Sequence, residues 1–142
     1  MGSTILKGSC IFVNMKNSLV IENISPDCLK HLKAVNDTRD MLSGKWKVMI
    51  IGGLSFGKMR FTELQKLVDG IGPKMLSKEL QELVINRLVI RSELNTKPLT
   101  VEYELSAFGQ SLKPVIEAMA DWGEKYRSDI MKDMRSQGHS QQ

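Results

Sequence analysis

The sequence predicts a mainly α-helical protein with a small antiparallel β element in its second half. Three observations lead to this fold class. Between residues 29 and 84, apolar residues recur every three or four positions, which is the period of an amphipathic helix. Between residues 88 and 105 the period changes to two, as in β-strands. Helical spacing returns from residue 112 to residue 130.

The composition is typical of one globular domain. Hydrophobic residues make up 42% of the chain and charged residues 25%, and no apolar run approaches the roughly 20 residues that cross a bilayer. Two cysteines, Cys10 and Cys28, are too few for a disulfide framework, so we expect a reducing, cytoplasmic setting. The net charge of +4 permits an anionic partner without requiring one.

The chain is expected to have three parts. Residues 1–24 contain short β-prone runs that fit either a hairpin or a loose arm, and Met15 is an alternative biological start that would make residues 1–14 an upstream extension. Residues 25–132 are expected to form the folded domain. Residues 133–142 are expected to be a flexible tail.

Two helices are predicted at the start of the folded domain. Ser25 is a good N-cap, Pro26 suits the first turn, and Asp27 lies near the positive end of the helix dipole. After an interruption at Ser43-Gly44, residues 45–55 resume the helical pattern. Their predicted apolar side consists of Trp46, Met49, Ile50 and Leu54.

A second pair of helices is joined by a glycine-containing turn. The first has apolar positions Phe61, Leu64, Leu67 and Val68, and it ends at the turn over residues 69–72. The next helix opens with Pro73 and has an apolar side of Leu76, Leu80, Leu83 and Val84. Its outward positions are then Lys74, Ser77, Lys78 and Gln81.

A ribbon of two strands follows at once. Residues 88–92 and 101–105 are the strands, and residues 95–100 form the tip. Ser106 can cap a last helix, bent near Pro114. Helix, turn, helix and ribbon in this order predict a winged helix-turn-helix, in which the second helix enters the major groove of DNA.

The outward face of the second helix has chemistry that suits base edges. Lysine, serine and glutamine side chains donate or accept hydrogen bonds in the major groove, and nearby cations can meet phosphates. The plain alternative is a solvated helix face. A winged-helix module that binds proteins and not DNA is therefore the second hypothesis. It would be favoured if Arg60, Lys74, Lys78 and Arg91 were buried in salt bridges.

An ordered set of short motifs supports the hypothesis that the helix-turn-helix binds DNA. In chain order, these motifs are Gly44-Lys45-Trp46, the segment 59–64, Gly70-Ile71, the segments 76–83 and 88–91, Pro98, the segment 101–106, Gly109, the segment 112–115, and Trp122-Gly123. Together they resemble the HxlR-type winged-helix regulators, which are similar in architecture to MarR regulators. The resemblance covers roughly residues 28 to 126.

The resemblance implies a bacterial or archaeal homodimeric transcription regulator, and not an enzyme. It implies dimerisation through the terminal helices, binding to an inverted-repeat operator, and a DNA contact by Arg60. Gly72 stands where the family usually has serine, and Gln81 where it often has arginine, so we expect a different base preference.

The candidate sites follow from these patterns. The predicted DNA-binding residues are Arg60, Thr62, Lys74, Met75, Ser77, Lys78, Gln81, Arg91 and Lys97. The predicted dimer interface consists of Leu112, Ile116, Met119, Trp122 and Tyr126. The expected partners are double-stranded DNA, a second copy of the chain, and an unidentified small-molecule or oxidant effector. We expect no membrane, cofactor or metal, because His31 and His139 are too far apart and too poorly accompanied to form a metal site.

Cys28 is a candidate redox sensor. It lies near a predicted helix start, where the dipole and neighbouring cations favour a thiolate, although Asp27 opposes them. Some relatives in the resembled family use a cysteine at this place to sense oxidants, commonly one followed by proline, whereas Leu29 follows here. The alternative is a half-buried small hydrophobe at the dimer interface.

Overall fold

The computed structural model describes residues 25–138. Its elements follow in the order α1 (Pro26–Met41), α2 (Lys47–Leu54), β1 (Met59–Arg60), α3 (Phe61–Leu67), α4 (Pro73–Ile85), β2 (Val89–Leu94), β3 (Thr100–Leu105), α5 (Ala107–Gln110) and α6 (Lys113–Gly138). This order confirms the predicted class, mainly α-helical with a small antiparallel sheet. The predictions for residues 1–24, including Cys10, and for residues 139–142 lie outside the described residues.

Helix α1 belongs to the first of two compact units, which divide between residues 43 and 44. Its start agrees with the prediction. Ser25 Oγ accepts a hydrogen bond from the backbone N–H of Cys28 at 3.2 Å, and Pro26 occupies the first turn. Three apolar side chains of the helix are exposed: Leu29, Leu32 and Val35.

Helix α2 begins the second unit's core with a buried stripe at i, i+3, i+4 and i+7. Ile50, Ile51 and Leu54 are almost fully buried, and the stripe begins with a charged residue, Lys47. The prediction that Met49 lies on the buried side is wrong. Met49 is exposed because, at about 100° per residue, it lies on nearly the opposite side of the helix from this stripe.

Helices α3 and α4 form the helix-turn-helix. Leu64 and Val68 are buried as predicted, whereas Leu67 is half exposed. Gly70 has a φ of +84° in the turn, a left-handed conformation that favours glycine. Helix α4 then starts at Pro73 and buries Leu76, Leu80 and Leu83.

The C-terminus of α4 is closed by a Schellman motif. The backbone N–H of Leu88 donates to the carbonyl of Leu83 at 2.9 Å, and that of Arg87 donates to the carbonyl of Val84 at 3.0 Å. Arg87 has a φ of +61° at the position where glycine is the usual residue. The motif therefore holds a side chain in a conformation that L-residues rarely adopt.

The sheet has three antiparallel strands in the order β1-β3-β2. Strands β2 and β3 form the predicted ribbon, in register from the pair Val89–Leu105 to the pair Leu94–Thr100. Strand β1 adds Met59 opposite Tyr103 and was not predicted, because two residues are too few to show an alternating pattern.

The chain after the ribbon forms two helices and not the single bent helix expected. Ser106 caps α5, as predicted, by accepting a hydrogen bond from the backbone N–H of Gly109 at 2.9 Å. A break follows, and Pro114 lies in the first turn of α6, where its missing N–H costs no hydrogen bond. Helix α6 includes residues 133–138, which were expected to belong to a tail.

Candidate nucleic-acid interface

All nine predicted DNA-contact residues lie at the surface of the structure. One is in β1, one in α3, five in α4 and two in the hairpin of β2 and β3. Arg60, Lys74 and Lys78, whose burial would have favoured a protein-binding module, are exposed.

The outward edge of α4 has a defined direction. Lys74, Ser77, Lys78 and Gln81 follow one another at i, i+3, i+4 and i+7, so they share one edge of the helix. Leu76, Leu80 and Leu83, on the other side, are at most 1% exposed. Since the core fixes that side, the polar edge faces away from it. We name these four residues the α4 edge.

The start of α4 attracts negative charge. Gly72 is the N-cap, so no side chain caps the first turn, and that turn contains no acidic residue. The first backbone N–H groups of a helix have no partner within the helix, and the dipole makes this end positive. Together with exposed Lys74, they create a local environment suited to a phosphate.

Arg60 joins the helix-turn-helix to the sheet. It lies in β1 opposite Glu102, and its backbone N–H donates to Glu63 Oε2 at 2.7 Å, which closes the first turn of α3. Its side chain is exposed, as is that of Thr62 in the same turn. The backbone that carries both side chains is therefore fixed by a strand pair and a helix start.

Two of the predicted DNA-contact residues, both cations, lie in the ribbon: one forms an ion pair and the other is at the tip. Arg91 Nη1 lies 2.7 Å from Glu93 Oε1, and both side chains are about half exposed. The hydrogen bond to Glu93, followed by one to Tyr103, raises the pKa of Arg91 above its ordinary value. Lys97 is exposed at the ribbon tip.

A cluster of charged residues, which was not predicted from the sequence, joins α2 to α4. Lys47 Nζ lies 2.8 Å from Glu79 Oε2 and 2.7 Å from Glu82 Oε2. Lys47 and Glu79 are buried, whereas Glu82 is partly exposed. The signal was present in the sequence, because Lys47 and Glu79 each lie on the apolar side of their helix.

The pKa values of Lys47 and Glu82 show that these two charges stabilise each other. Burial lowers the pKa of Lys47, but its bonds and charge interactions with Glu79 and Glu82 outweigh burial and raise it. The hydrogen bond with Lys47 is the main cause that lowers the pKa of Glu82. The ammonium group therefore stays charged at neutral pH.

The predicted dimer residues lie on α6 and on the residue before it. Leu112 and Ile116 are half buried, whereas Met119, Trp122 and Tyr126 are exposed. The rings of Trp122 and Tyr126 stack with centroids 5.0 Å apart. An apolar groove along the first three turns of this helix is lined by Pro114, Val115, Ala118, Met119, Trp122 and Gly123.

Cys28 is buried in the first turn of α1 and is disulfide-bonded in the structure. The sequence-based hypothesis treated it as a thiol. The sequence contains one other cysteine, Cys10, which lies outside the described residues.

Similarity to known proteins identifies the family. A sequence model described as HxlR-like helix-turn-helix matches residues 41–131. The chain belongs to the HxlR-like helix-turn-helix family. This HxlR-like protein is 43% identical to the HTH-type transcriptional regulator YdeP of Bacillus subtilis over 98 residues, which are 69% of the chain and 77% of YdeP. It is 36% identical to YybR of the same organism over 117 residues, 82% of the chain and 91% of YybR.

Solved structures agree with this assignment. The redox regulator HypR in its reduced form has a TM-score of 0.65 and 34% identity, with 70% of this chain and 98% of HypR covered. Diamide-treated YodB from B. subtilis has a TM-score of 0.55 and 31% identity, with 66% and 92% covered. The HxlR-like protein is a winged-helix transcriptional regulator of the helix-turn-helix type, in a family of regulators and not of enzymes. Within residues 25–138, no helix has the length and apolar character needed to cross a membrane.

Proposed function

We propose that this regulator binds an inverted-repeat operator as a homodimer, with the α4 edge in the major groove. The observation that carries the proposal is the α4 edge itself, exposed on a helix whose opposite side is fixed by the core. The major groove is wide enough for one helix, and serine, glutamine and lysine side chains that face it can form hydrogen bonds with the bases. The operator lies in the cytoplasm of a bacterium or archaeon, and so does the proposed site of action.

Phosphate contacts position the helix in this proposal. Arg60 and the start of α4 approach the backbone on one side, and Lys97 approaches it at the ribbon tip. Arg91 joins them by exchanging Glu93 for a phosphate, because an exposed ion pair contributes little to stability and is easily replaced.

The decisive experiment is the salt dependence of DNA binding by Lys74→Ala/Lys78→Ala. Each phosphate contact contributes roughly 0.9 to the slope of log K against log salt. A dimer of this variant lacks two lysines in each protomer and so loses up to four contacts, and the magnitude of the slope should fall by up to about 3.6. Fluorescence anisotropy with a labelled duplex measures it. Lys125→Ala/Lys132→Ala, which removes two exposed lysines from α6, is the matched control and should keep the wild-type slope. Equal slopes for wild type and the α4 variant would overturn the contact assignment.

The second copy is proposed to cover the exposed apolar face of α6. Trp122 is 66% exposed and Tyr126 54% exposed, and large apolar patches of this kind mark interaction sites in single chains. A two-fold dimer would place two copies of α4 in major grooves about 34 Å apart.

Light scattering at micromolar protomer concentration tests the dimer. Wild type should have twice the mass of the chain, and Trp122→Ala/Tyr126→Ala should dissociate at higher concentration. Phe108→Ala removes an exposed aromatic ring from α5 and should leave the mass unchanged. A monomeric wild type would contradict the dimer.

We further propose that Cys28 makes DNA binding responsive to oxidants. The support is its disulfide-bonded state here and the similarity to structures titled as a redox regulator and as diamide-treated YodB. Diamide, which takes two electrons and two protons from two thiols, should change the Kd for DNA, and Cys28→Ser should abolish that change. A wild-type Kd that is the same in dithiothreitol and in diamide would rule the response out.

A further inference from the structure

The cluster of Lys47, Glu79 and Glu82 connects the core of the protein to the helix that carries the α4 edge. Lys47 is the first residue of α2, and both glutamates lie on α4 one turn apart. Its ammonium group is within 2.8 Å of a carboxylate oxygen of each. One buried cation therefore holds α4 at two points along its length.

Each glutamate is the chain neighbour of a residue on the α4 edge. Lys78 precedes Glu79, and Gln81 precedes Glu82. A position fixed for the glutamates thus fixes the angle at which their neighbours leave the helix. Because the helix with its side chains has a radius of about 5–6 Å, a rotation of about 20° would move the edge by about 2 Å. That displacement is enough to break a hydrogen bond to a base, which tolerates only a few tenths of an ångström.

Stability alone does not account for such a cluster. Burying charges costs solvation, and apolar residues of similar volume often stabilise a protein as well as a buried ion pair does. Leu76, Leu80 and Leu83 already attach α4 to the core through contacts that have no preferred direction, whereas the charge pairs join defined atoms on α2 and α4. The cluster is therefore suited to setting orientation.

We propose that Lys47 is a positioning residue for DNA recognition, which sets the rotation of α4 through Glu79 and Glu82. The inference rests on the proposed function, because it assumes that the α4 edge reads bases. Without the cluster, the protein should distinguish less well between its preferred DNA sequence and other sequences, whereas its attraction to DNA phosphates should remain. The cations of the interface are unchanged, so binding to an arbitrary duplex is unaffected.

The test uses the full chain and a duplex that wild type selects from a random pool, with a scrambled duplex of equal length and composition. The main variant is Lys47→Met/Glu79→Met, which removes both buried charges and leaves the partly exposed Glu82 in contact with water. It should unfold within a few degrees of wild type. Its Kd for the selected duplex should rise at least tenfold, and its Kd for the scrambled duplex should change less than threefold.

Two further variants make the outcome decisive. Lys45→Met removes an exposed lysine two residues away and should retain the wild-type ratio of the two Kd values. Glu79→Gln keeps the side-chain shape and the bond of Lys47 to Glu82, so an intermediate loss of discrimination is expected even if the double variant does not fold.

The results separate the inference from the proposed function. If wild type discriminates between the duplexes and both cluster variants keep its ratio, the positioning role is overturned while DNA recognition stands. If wild type selects no duplex, the proposed function fails and this inference fails with it. Equal weakening on both duplexes would also overturn the inference, because it would indicate a general loss of structure.

Discussion

Gly109 gives the sharpest prediction for the fold, because its missing side chain allows α5 to approach the end of α4. A Cβ atom at this position would overlap the carbonyl oxygen of Leu88 and lie 3.1 Å from its carbonyl carbon. The same oxygen accepts a hydrogen bond from the backbone N–H of Ser106 at 3.0 Å. Gly109→Ala must therefore displace backbone that is already hydrogen-bonded.

The expected cost follows from these contacts. Overpacking costs about 1–3 kcal/mol, and weakening the bond to a buried carbonyl costs about 1–3 kcal/mol. The better helix propensity of alanine returns at most about 1 kcal/mol. We expect Gly109→Ala to lose about 3 kcal/mol of unfolding free energy and to lower Tm by roughly 10 °C in a chain of this size.

Urea unfolding followed by circular dichroism measures this loss, at one protomer concentration so that self-association does not bias the comparison. Gly52→Ala is the matched control, since its Cβ would lie 3.6 Å from Ile116 Cγ2, an ordinary contact. The free energy of unfolding of Gly52→Ala should equal that of wild type or exceed it by up to about 1 kcal/mol. A Gly109→Ala protein within about 0.5 kcal/mol of wild type would refute the reasoning.

Three other changes test the structure at separate points. Arg87→Gly should raise the free energy of unfolding by about 0.5–1 kcal/mol, because relief at φ +61° exceeds the entropy that glycine adds to the unfolded chain, whereas Arg87→Ala should gain nothing in urea unfolding. Gly53→Ala should lose less than Gly109→Ala in the same assay, because its Cβ would meet the movable end of Leu67 at 2.8 Å. Because the pKa of Glu82 is lowered, its carboxylate stabilises the fold above the ordinary value of 4.5, and this stabilisation is lost as pH falls through the lowered value. The difference in unfolding free energy between wild type and Glu82→Gln should therefore shrink between pH 6 and pH 3. A difference that stays constant would count against the pairing with Lys47.

The sequence predicted the features that local pattern controls. Ser25 and Pro73 mark helix starts through their own chemistry, and the alternation around residues 89–105 predicted the ribbon. The exposure of the α4 edge followed from the spacing of three leucines. Such signals work because residues close in the chain report on the helix or strand that contains them.

Only the tertiary structure decided which distant residues meet. Strand β1 exists because β3 offers it a hydrogen-bonding edge, and Gly109 is required because the carbonyl of Leu88 lies against it. The pairing of Lys47 with Glu79 likewise joins two helices, although each charge sits on an apolar side that the sequence displays. The sequence alone thus determined four of the helices, the ribbon and the outward edge of α4. Packing determined strand β1 and the contacts that hold that edge in place, because these contacts join residues that are far apart in the chain.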